Sequence, residues 1–182
     1  LVGSEMCIRD SQIGGLTGNT DYTISASVIC ATGDTSANAI VLSATTPCAP
    51  VTSFPYNEGF LFGSPTVTCW TTINGGGAQG FTNGGPTSPA DRQNEFYLRY
   101  EADYTTSHDD WLISPQFTIT AGVSDEIKID AQCLGSVYNE DFSVYLSTSS
   151  PTAANLQANL IEANVSPNGA SATTYTWDLS SY

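Results

Sequence analysis

The sequence is poor in charged residues and above all in basic ones. Only 12% of its 182 residues are charged, which is about half of the roughly 25% found in an average globular protein. Four Lys and Arg residues stand against 18 Asp and Glu residues, so the formal net charge is -14 at pH 7. Such a surface repels phosphate backbones and anionic lipid headgroups. We therefore expect no nucleic acid partner and no binding to membrane surfaces.

The chain also lacks long apolar stretches. No run of about 18 apolar residues is present, so no membrane insertion is expected. The first residues lack the basic region and apolar stretch of a secretory signal peptide. An acidic, lysine-poor composition is nevertheless typical of a soluble extracellular protein. We expect a secreted or cell-surface protein whose export signal lies outside these residues.

Residues 2–11, Val-Gly-Ser-Glu-Met-Cys-Ile-Arg-Asp-Ser, resemble the translated end of a transposon adapter found in metagenomic sequences. We predict that residues 1–11 are an artefact and exclude them from fold reasoning. This removes Cys7 and leaves four cysteines. It also leads us to expect that the true N-terminus is missing.

Residues 12–46 show the alternation of a β-hairpin. Tyr22, Ile24 and Ala26 alternate with Thr and Ser, and a turn-rich break precedes a second apolar alternation from Ile40 to Ala44. The motif Leu-x-x-x-Thr-x-Tyr, which ends at Tyr22, resembles the penultimate strand of a fibronectin type III domain. The resemblance implies that the Tyr22 hydroxyl bonds to backbone upstream. An unrelated hairpin is the alternative. Residues 47–53, with Pro47 and Pro50, are predicted to be a linker.

Residues 54–182 read as many short strands. The predicted strands cover residues 67–73, 96–104, 111–119, 126–132, 142–147 and 175–179. A short helix is predicted over residues 152–160, and a glycine- and proline-rich loop over residues 74–91. Many short strands with little helix predict a sandwich or jelly roll. The expected core is formed by large side chains at alternating positions: Phe60, Trp70, Trp111, Ile113, Phe117, Ile127, Ile129, Phe142, Val144 and Leu146.

Four motifs give this second part a more specific resemblance. Pro-Tyr-Asn-Glu-Gly-Phe at 55–60, Cys-Trp-Thr at 69–71, Asp-Asp-Trp-Leu-Ile-Ser-Pro-Gln-Phe at 109–117 and Glu-Asp-Phe-Ser-Val-Tyr-Leu-Ser-Thr at 140–148 resemble the cleaved-adhesin family. These are gingipain-type, choice-of-anchor J modules, related in fold to MAM domains. The family's final strands are not present. We therefore predict an all-β chain: the last two strands of a fibronectin type III β-sandwich, then a C-terminally truncated jelly-roll β-sandwich.

The sequence offers little for catalysis. The single histidine is His108, and the sequence has no Gly-x-Ser-x-Gly motif that would supply a nucleophilic serine for it. A pair of carboxylates for glycoside hydrolysis could be chosen from Glu95, Glu101, Asp103, Asp109 and Asp110. This signal is weak, because acidic residues are so abundant that any stretch of the chain would supply a pair. We expect no enzymatic activity. The resemblance implies adhesion or ligand binding, through carbohydrate or protein. The alternative is a structural spacer of a secreted peptidase or glycoside hydrolase.

Candidate ligand-binding aromatics are Phe81 in the long loop and Tyr104, with Tyr138 as a further exposed ring. Trp70, Trp111 and Trp177 form a possible sugar-stacking set. However, Trp70 and Trp111 match core positions of the resembled family, which favours packing for these two.

The cysteines predict one disulfide. In an exported chain they are expected to be oxidised where geometry allows. Cys30 and Cys48 lie too far apart along a hairpin to bond. Cys48 and Cys69 flank the entry to the second module, so we predict that these two pair. The pairing of Cys30 and Cys133 stays open.

A structural calcium ion is implied by the resemblance. Jelly-roll modules of this kind often bind one, and the resemblance nominates Glu58 as a ligand. Asp109 or Asp110 would add carboxylate oxygens to the six to eight that calcium needs. Solvated loop acids are the alternative.

Overall fold

The computed structural model describes residues 12–27, 40–60, 64–76, 80–84, 97–101, 109–133, 140–149, 152, 155, 157, 159–167 and 171–182. The chain divides into two compact units, Leu1–Ala49 and Pro50–Tyr182. This division falls inside the predicted linker, residues 47–53. The described part is nearly all β and its paired strands are antiparallel, which confirms the predicted fold class.

The described residues of unit 1 form an antiparallel ribbon. β1 (Asp21–Ala26) pairs with β2 (Ile40–Thr45), so that Tyr22 lies opposite Ala44 and Ile24 opposite Leu42. Because side chains alternate along a strand, the apolar residues share one face of the ribbon. That face is open, since Ile40 is 68% exposed and Leu42 is 61% exposed.

The predicted bond of the Tyr22 hydroxyl is confirmed. The backbone N–H of Thr17 donates to it over 3.0 Å, five residues upstream. This hydrogen bond joins the segment before β1 to Tyr22, the second residue of the strand. The likeness of this unit to a fibronectin type III domain stays a prediction.

Unit 2 is built of antiparallel ribbons. In its described part β3 (Thr71–Ile73) pairs with β6 (Trp111–Ile113), β4 (Phe81–Gly84) with β5 (Tyr97–Tyr100), β7 (Glu126–Ala131) with β10 (Thr173–Asp178), and β8 (Phe142–Tyr145) with β9 (Leu160–Val165). A 3₁₀ turn, Val67–Cys69, precedes β3. An isolated bridge joins Val51 to Phe117.

The buried core lies between the last two ribbons of unit 2. Val144, Val165 and Trp177 form a cluster, and Ile127 and Phe142 pack against it. The Phe142 ring meets Tyr175 edge-on at 6.0 Å between centroids, and Tyr175 stacks on Trp177 at 6.2 Å. Packing of these aromatic rings against aliphatic residues removes apolar area from water and stabilises this part of the chain.

The core therefore differs from the predicted one. Val144 is buried as predicted, but Ile129 is 37% exposed and the other eight predicted residues are only half-buried. Val165 and Trp177 were missed. Trp177 lies on the inward face of β10. Thr176 lies on the other face of β10, opposite Lys128 of β7. Period-two alternation gave the inward face of β7 and β8, since Ile127, Phe142 and Val144 were predicted and lie in or against the cluster.

Three predicted elements need correction. Residues 67–69 form a 3₁₀ turn where strand was predicted, and β3 begins only at Thr71. β4 lies inside the predicted loop 74–91, because it pairs with β5. Four of the nine residues of the predicted helix over 152–160 lie outside the described residues, and Leu160 is already the first residue of β9. The strand β9 was not predicted.

Candidate functional site

The described residues of unit 2 form an aromatic cleft. Its volume is about 320 Å³. The cleft is lined from four strands and from the segment before them, by Phe60, Val67, Thr68, Trp70, Thr72, Phe81, Leu98 and Leu112. Its apolar side chains are half-buried, so each keeps an accessible surface toward the opening. We call these eight residues the aromatic cleft.

One wall of the cleft is a pair of rings. Phe60 meets Trp70 edge-on, with 5.1 Å between ring centroids and an angle of 66° between planes. Phe60 has a φ of 53°, which is unusual for a bulky residue without glycine's freedom. Such a conformation persists only where neighbouring contacts hold it. The contacts that hold Phe60 come from Glu58.

The Glu58 carboxylate accepts hydrogen bonds at both of its oxygens. The backbone N–H of Phe60 donates to Oε1 over 2.7 Å. The hydroxyls of Thr66, Ser64 and Tyr56 donate to Oε2 over 2.5, 3.2 and 3.5 Å. An ionised carboxylate accepts about four hydrogen bonds. Three hydroxyls of the chain thus surround Oε2 of Glu58, and one backbone N–H binds Oε1.

Tyr56 links this network to the second ring of the wall. Its hydroxyl accepts a 3.2 Å hydrogen bond from the indole Nε1–H of Trp70. The same hydroxyl donates to Glu58. Glu58 thus holds Phe60 directly and Trp70 through Tyr56, which orients both rings of the wall.

Asp110 supports another lining residue, Phe81, through Tyr100. Phe81 packs against Tyr100 with 5.1 Å between ring centroids. The Tyr100 hydroxyl donates a 3.0 Å hydrogen bond to Asp110 Oδ2. Burial, followed by the hydrogen bond to Asp110 and its negative charge, raises the pKa of Tyr100 to about 12. Asp110 therefore favours the neutral phenol that supports Phe81.

Asp110 also fastens the chain that leaves β3. The backbone N–H of Gly75 donates to Asp110 Oδ1 over 2.9 Å. The backbones approach so closely here that a Cβ on Gly75 would overlap the carbonyl oxygen of Asp109 and lie 2.8 Å from its carbonyl carbon. Only glycine fits this position. The first residues of the predicted loop are thus part of the framework of unit 2.

The residues nominated for calcium do not fit a calcium shell. Hydroxyl and backbone groups of the chain itself lie around the Glu58 carboxylate. Asp110 is likewise engaged by Gly75 and Tyr100, and Asp109 Oδ1 accepts a 2.9 Å hydrogen bond from the indole of Trp111. Among the residues that the structure describes, no group of three or more acidic, histidine or cysteine side chains is arranged to hold a metal ion. We derive no function through calcium.

The disulfide is as predicted. Cys48 and Cys69 are bonded to each other, so Cys48 is not available to Cys30. Cys133 follows β7 and is half-buried. Cys30 lies outside the described residues.

The structure brings one nominated ligand-binding residue to the cleft. Phe81 lies on β4 and lines the aromatic cleft. Tyr104, Tyr138 and His108 lie outside the described residues, as do Glu95 and Asp103. Phe60 and Trp70 were expected in the core, and they form a wall of the cleft instead.

Leu98 and Leu112 were not predicted to belong to any site. Each lies at the middle of a short strand that pairs at the edge of the cleft. The apolar alternation around them was visible in the sequence, but it does not distinguish a cleft from a core.

Comparison with family models, with curated proteins and with solved structures found no match for this chain. In the described part of the chain no helix is long and apolar enough to span a membrane. The site is therefore interpreted from its own geometry.

Proposed function

We propose that this chain is a non-catalytic extracellular ligand-binding or adhesion module, and that it binds through the aromatic cleft. The observation that supports the proposal is the convergence of Phe60, Trp70 and Phe81 on one concave surface of about 320 Å³. Ligand sites are concave and mostly apolar, with few polar groups. The ligand of such a module is a carbohydrate or a protein.

The rigidity of the walls supports the same proposal. The carboxylates of Glu58 and Asp110 accept hydrogen bonds from groups that orient rings and backbone at the cleft. A site whose side chains are already fixed loses less conformational entropy when it binds. The arrangement is that of a preformed receptor surface.

The Cys48–Cys69 disulfide supports an extracellular location. Disulfides persist in oxidising compartments and are rare where glutathione keeps thiols reduced. The acidic surface, with a net charge of -14, also favours solubility outside the cell.

The test is a binding screen of the intact chain on a glycan array and on immobilised matrix proteins. We expect binding to members of one class, with at least a tenfold loss in Phe81→Ala. The matched control is Val123→Ala, because Val123 is 81% exposed in a turn and does not line the cleft. Binding that survives Phe81→Ala would contradict the cleft as the site. Absence of any binding would favour the spacer function.

A further inference from the structure

The end of β9 carries an acceptor motif for N-linked glycosylation. Asn164, Val165 and Ser166 form the motif Asn-x-Ser, in which x is not proline. This motif is the acceptor for oligosaccharide transfer in exported proteins. No other asparagine of the sequence has a serine or threonine two residues later. A motif of three residues also arises by chance, so its place in the fold decides whether it is accessible.

The middle residue of the motif anchors it to unit 2. Val165 is 4% exposed and belongs to the core cluster. On either side of this anchor, Asn164 is exposed and Ser166 is half-buried. The fold thus holds the motif at a fixed place on the surface and leaves the asparagine in contact with solvent.

A β-bulge lies at the acceptor residue. Two residues of β9, Ala163 and Asn164, stand opposite the single residue Ser143 of β8. The backbone N–H of Asn164 donates to the Ser143 hydroxyl over 3.4 Å, and Asn164 has a φ of 55°. A bulge redirects a side chain and interrupts the strand pairing. The acceptor asparagine therefore lies where β9 departs from regular pairing.

Neither polar side chain of the motif is used by the fold. In the described part of the chain, the hydrogen bonds of Asn164 and Ser166 are made by their backbone N–H and carbonyl, to Ser143 and Tyr175. The left-handed backbone at Asn164 explains asparagine or glycine there. It does not explain an amide followed by a hydroxyl two residues later. Both groups are available to an external enzyme.

We propose that Asn164 is an acceptor site for N-linked glycosylation. The donor class is an oligosaccharide carried on a polyprenyl pyrophosphate. Asn164 Nδ2 forms a bond to the anomeric carbon of the first sugar, and the bond from that carbon to the pyrophosphate oxygen breaks. The pyrophosphate leaves with the bonding electron pair, and the amide loses one proton. This inference rests on the proposed extracellular location, but it does not involve the aromatic cleft.

The test is transfer in vitro to the folded full chain. A purified single-subunit oligosaccharyltransferase is supplied with a lipid-linked oligosaccharide that begins with chitobiose. Intact-mass spectrometry is expected to show the addition of one oligosaccharide per chain. Peptide N-glycosidase in heavy-oxygen water then converts the modified asparagine into a labelled aspartate, which peptide mapping is expected to locate at position 164.

Variants test both groups of the motif. Asn164→Gln is expected to abolish the transfer, and Ser166→Ala is expected to reduce it at least tenfold. Ser166→Thr keeps the hydroxyl and is expected to retain the transfer. The matched control is Asn159→Gln, because Asn159 is also exposed beside β9 but lies outside the motif. Circular dichroism of each variant checks that it is folded.

The contrary outcomes are distinct from those of the binding proposal. Transfer to the reduced, heat-unfolded chain but not to the folded chain would overturn the inference that the fold presents Asn164. Transfer that persists in Asn164→Gln, or that is unchanged in Ser166→Ala, would place the glycan elsewhere and refute the site. If neither form of the chain is modified, the inference also fails. Binding through the aromatic cleft is measured on the unmodified chain, so that proposal stands or falls separately.

Discussion

The backbone N–H of Phe60 donates a 2.7 Å hydrogen bond to the carboxylate of Glu58, and this bond holds Phe60 at a φ of 53°. A residue without glycine's freedom costs about 1–3 kcal/mol in such a conformation. Glu58 offsets this cost and, by doing so, turns the Phe60 ring toward Trp70. Glu58, which the resemblance nominated as a calcium ligand, thus accepts hydrogen bonds from donors of the chain itself.

Glu58→Gln is therefore expected to destabilise unit 2 by about 1.5–3 kcal/mol, because hydrogen bonds to a charged acceptor are lost. Calcium is expected to leave the melting temperature of both proteins unchanged. Thermal unfolding with 5 mM calcium and with EDTA measures both effects. Glu126→Gln is the control, since Glu126 makes only an exposed ion pair with Lys128. A calcium-dependent rise that Glu58→Gln removes would restore the metal site.

Gly75→Ala is expected to cost more than about 1 kcal/mol, since its Cβ would overlap the backbone of Asp109. The matched control is Gly80→Ala, whose Cβ would lie at an ordinary 3.5 Å from the side chain of Asn74. Urea denaturation of both variants measures the difference. Equal stability of the two would show that the backbone at Gly75 can move away from Asp109.

Trp177→Ala is expected to cost about 3–5 kcal/mol, because Trp177 is 8% exposed within the core cluster. Trp111→Ala is expected to cost less. Trp111 is only half-buried, and its main contacts are the Tyr145 ring and the carboxylate of Asp109. Chemical denaturation of the two variants gives the order. The reverse order would place the main core around Trp111.

The raised pKa of Tyr100 predicts that the protein loses stability at alkaline pH. Its pKa in the folded chain is raised from 10.0 to about 12, mainly by burial and then by Asp110. A raised pKa stabilises the folded state below pH 10, and this contribution is lost as the pH rises toward 12. We expect unfolding free energy to fall more steeply over that range in the wild type than in Tyr100→Phe. Asp110→Asn is expected to bring the tyrosinate titration, followed at 295 nm, to lower pH.

Reduction of the Cys48–Cys69 disulfide is expected to destabilise the protein by about 3 kcal/mol. The bond closes a loop of roughly 20 residues, which restricts the unfolded chain. Melting temperatures with and without dithiothreitol measure the effect. A Cys48→Ala/Cys69→Ala variant serves as the control and is expected to melt at the same temperature under both conditions. An equally large response to reductant in this variant would assign the effect to another cysteine.

Sequence alternation was enough to predict the β class and the approximate places of most strands. β7 and β8, for example, begin at Glu126 and Phe142 as predicted. The Tyr22 bond was also predicted, from the resemblance of the Leu-x-x-x-Thr-x-Tyr motif to a fibronectin type III strand. The Cys48–Cys69 pair was predicted from the position of both cysteines at the entry to the second module.

What could not be predicted depends on contacts between distant strands. β4 lies in a glycine-rich stretch and is a strand only because β5 pairs with it. The burial of Trp177 depends on β7 and β8, which lie far from it in the chain. At Glu58 the motif suggested a metal ligand, whereas the fold supplies hydrogen-bond donors from Ser64 and Thr66.

The open face of the β1–β2 ribbon has a consequence for colloidal behaviour. Ile40 and Leu42 expose apolar surface to solvent, while the net charge of -14 makes the molecules repel one another at neutral pH. Mutual repulsion vanishes near the isoelectric point, at a pH of about 4.1. Acidification toward that pH removes the barrier to contact between these faces, so concentrated solutions will turn turbid there and clear again when base is added.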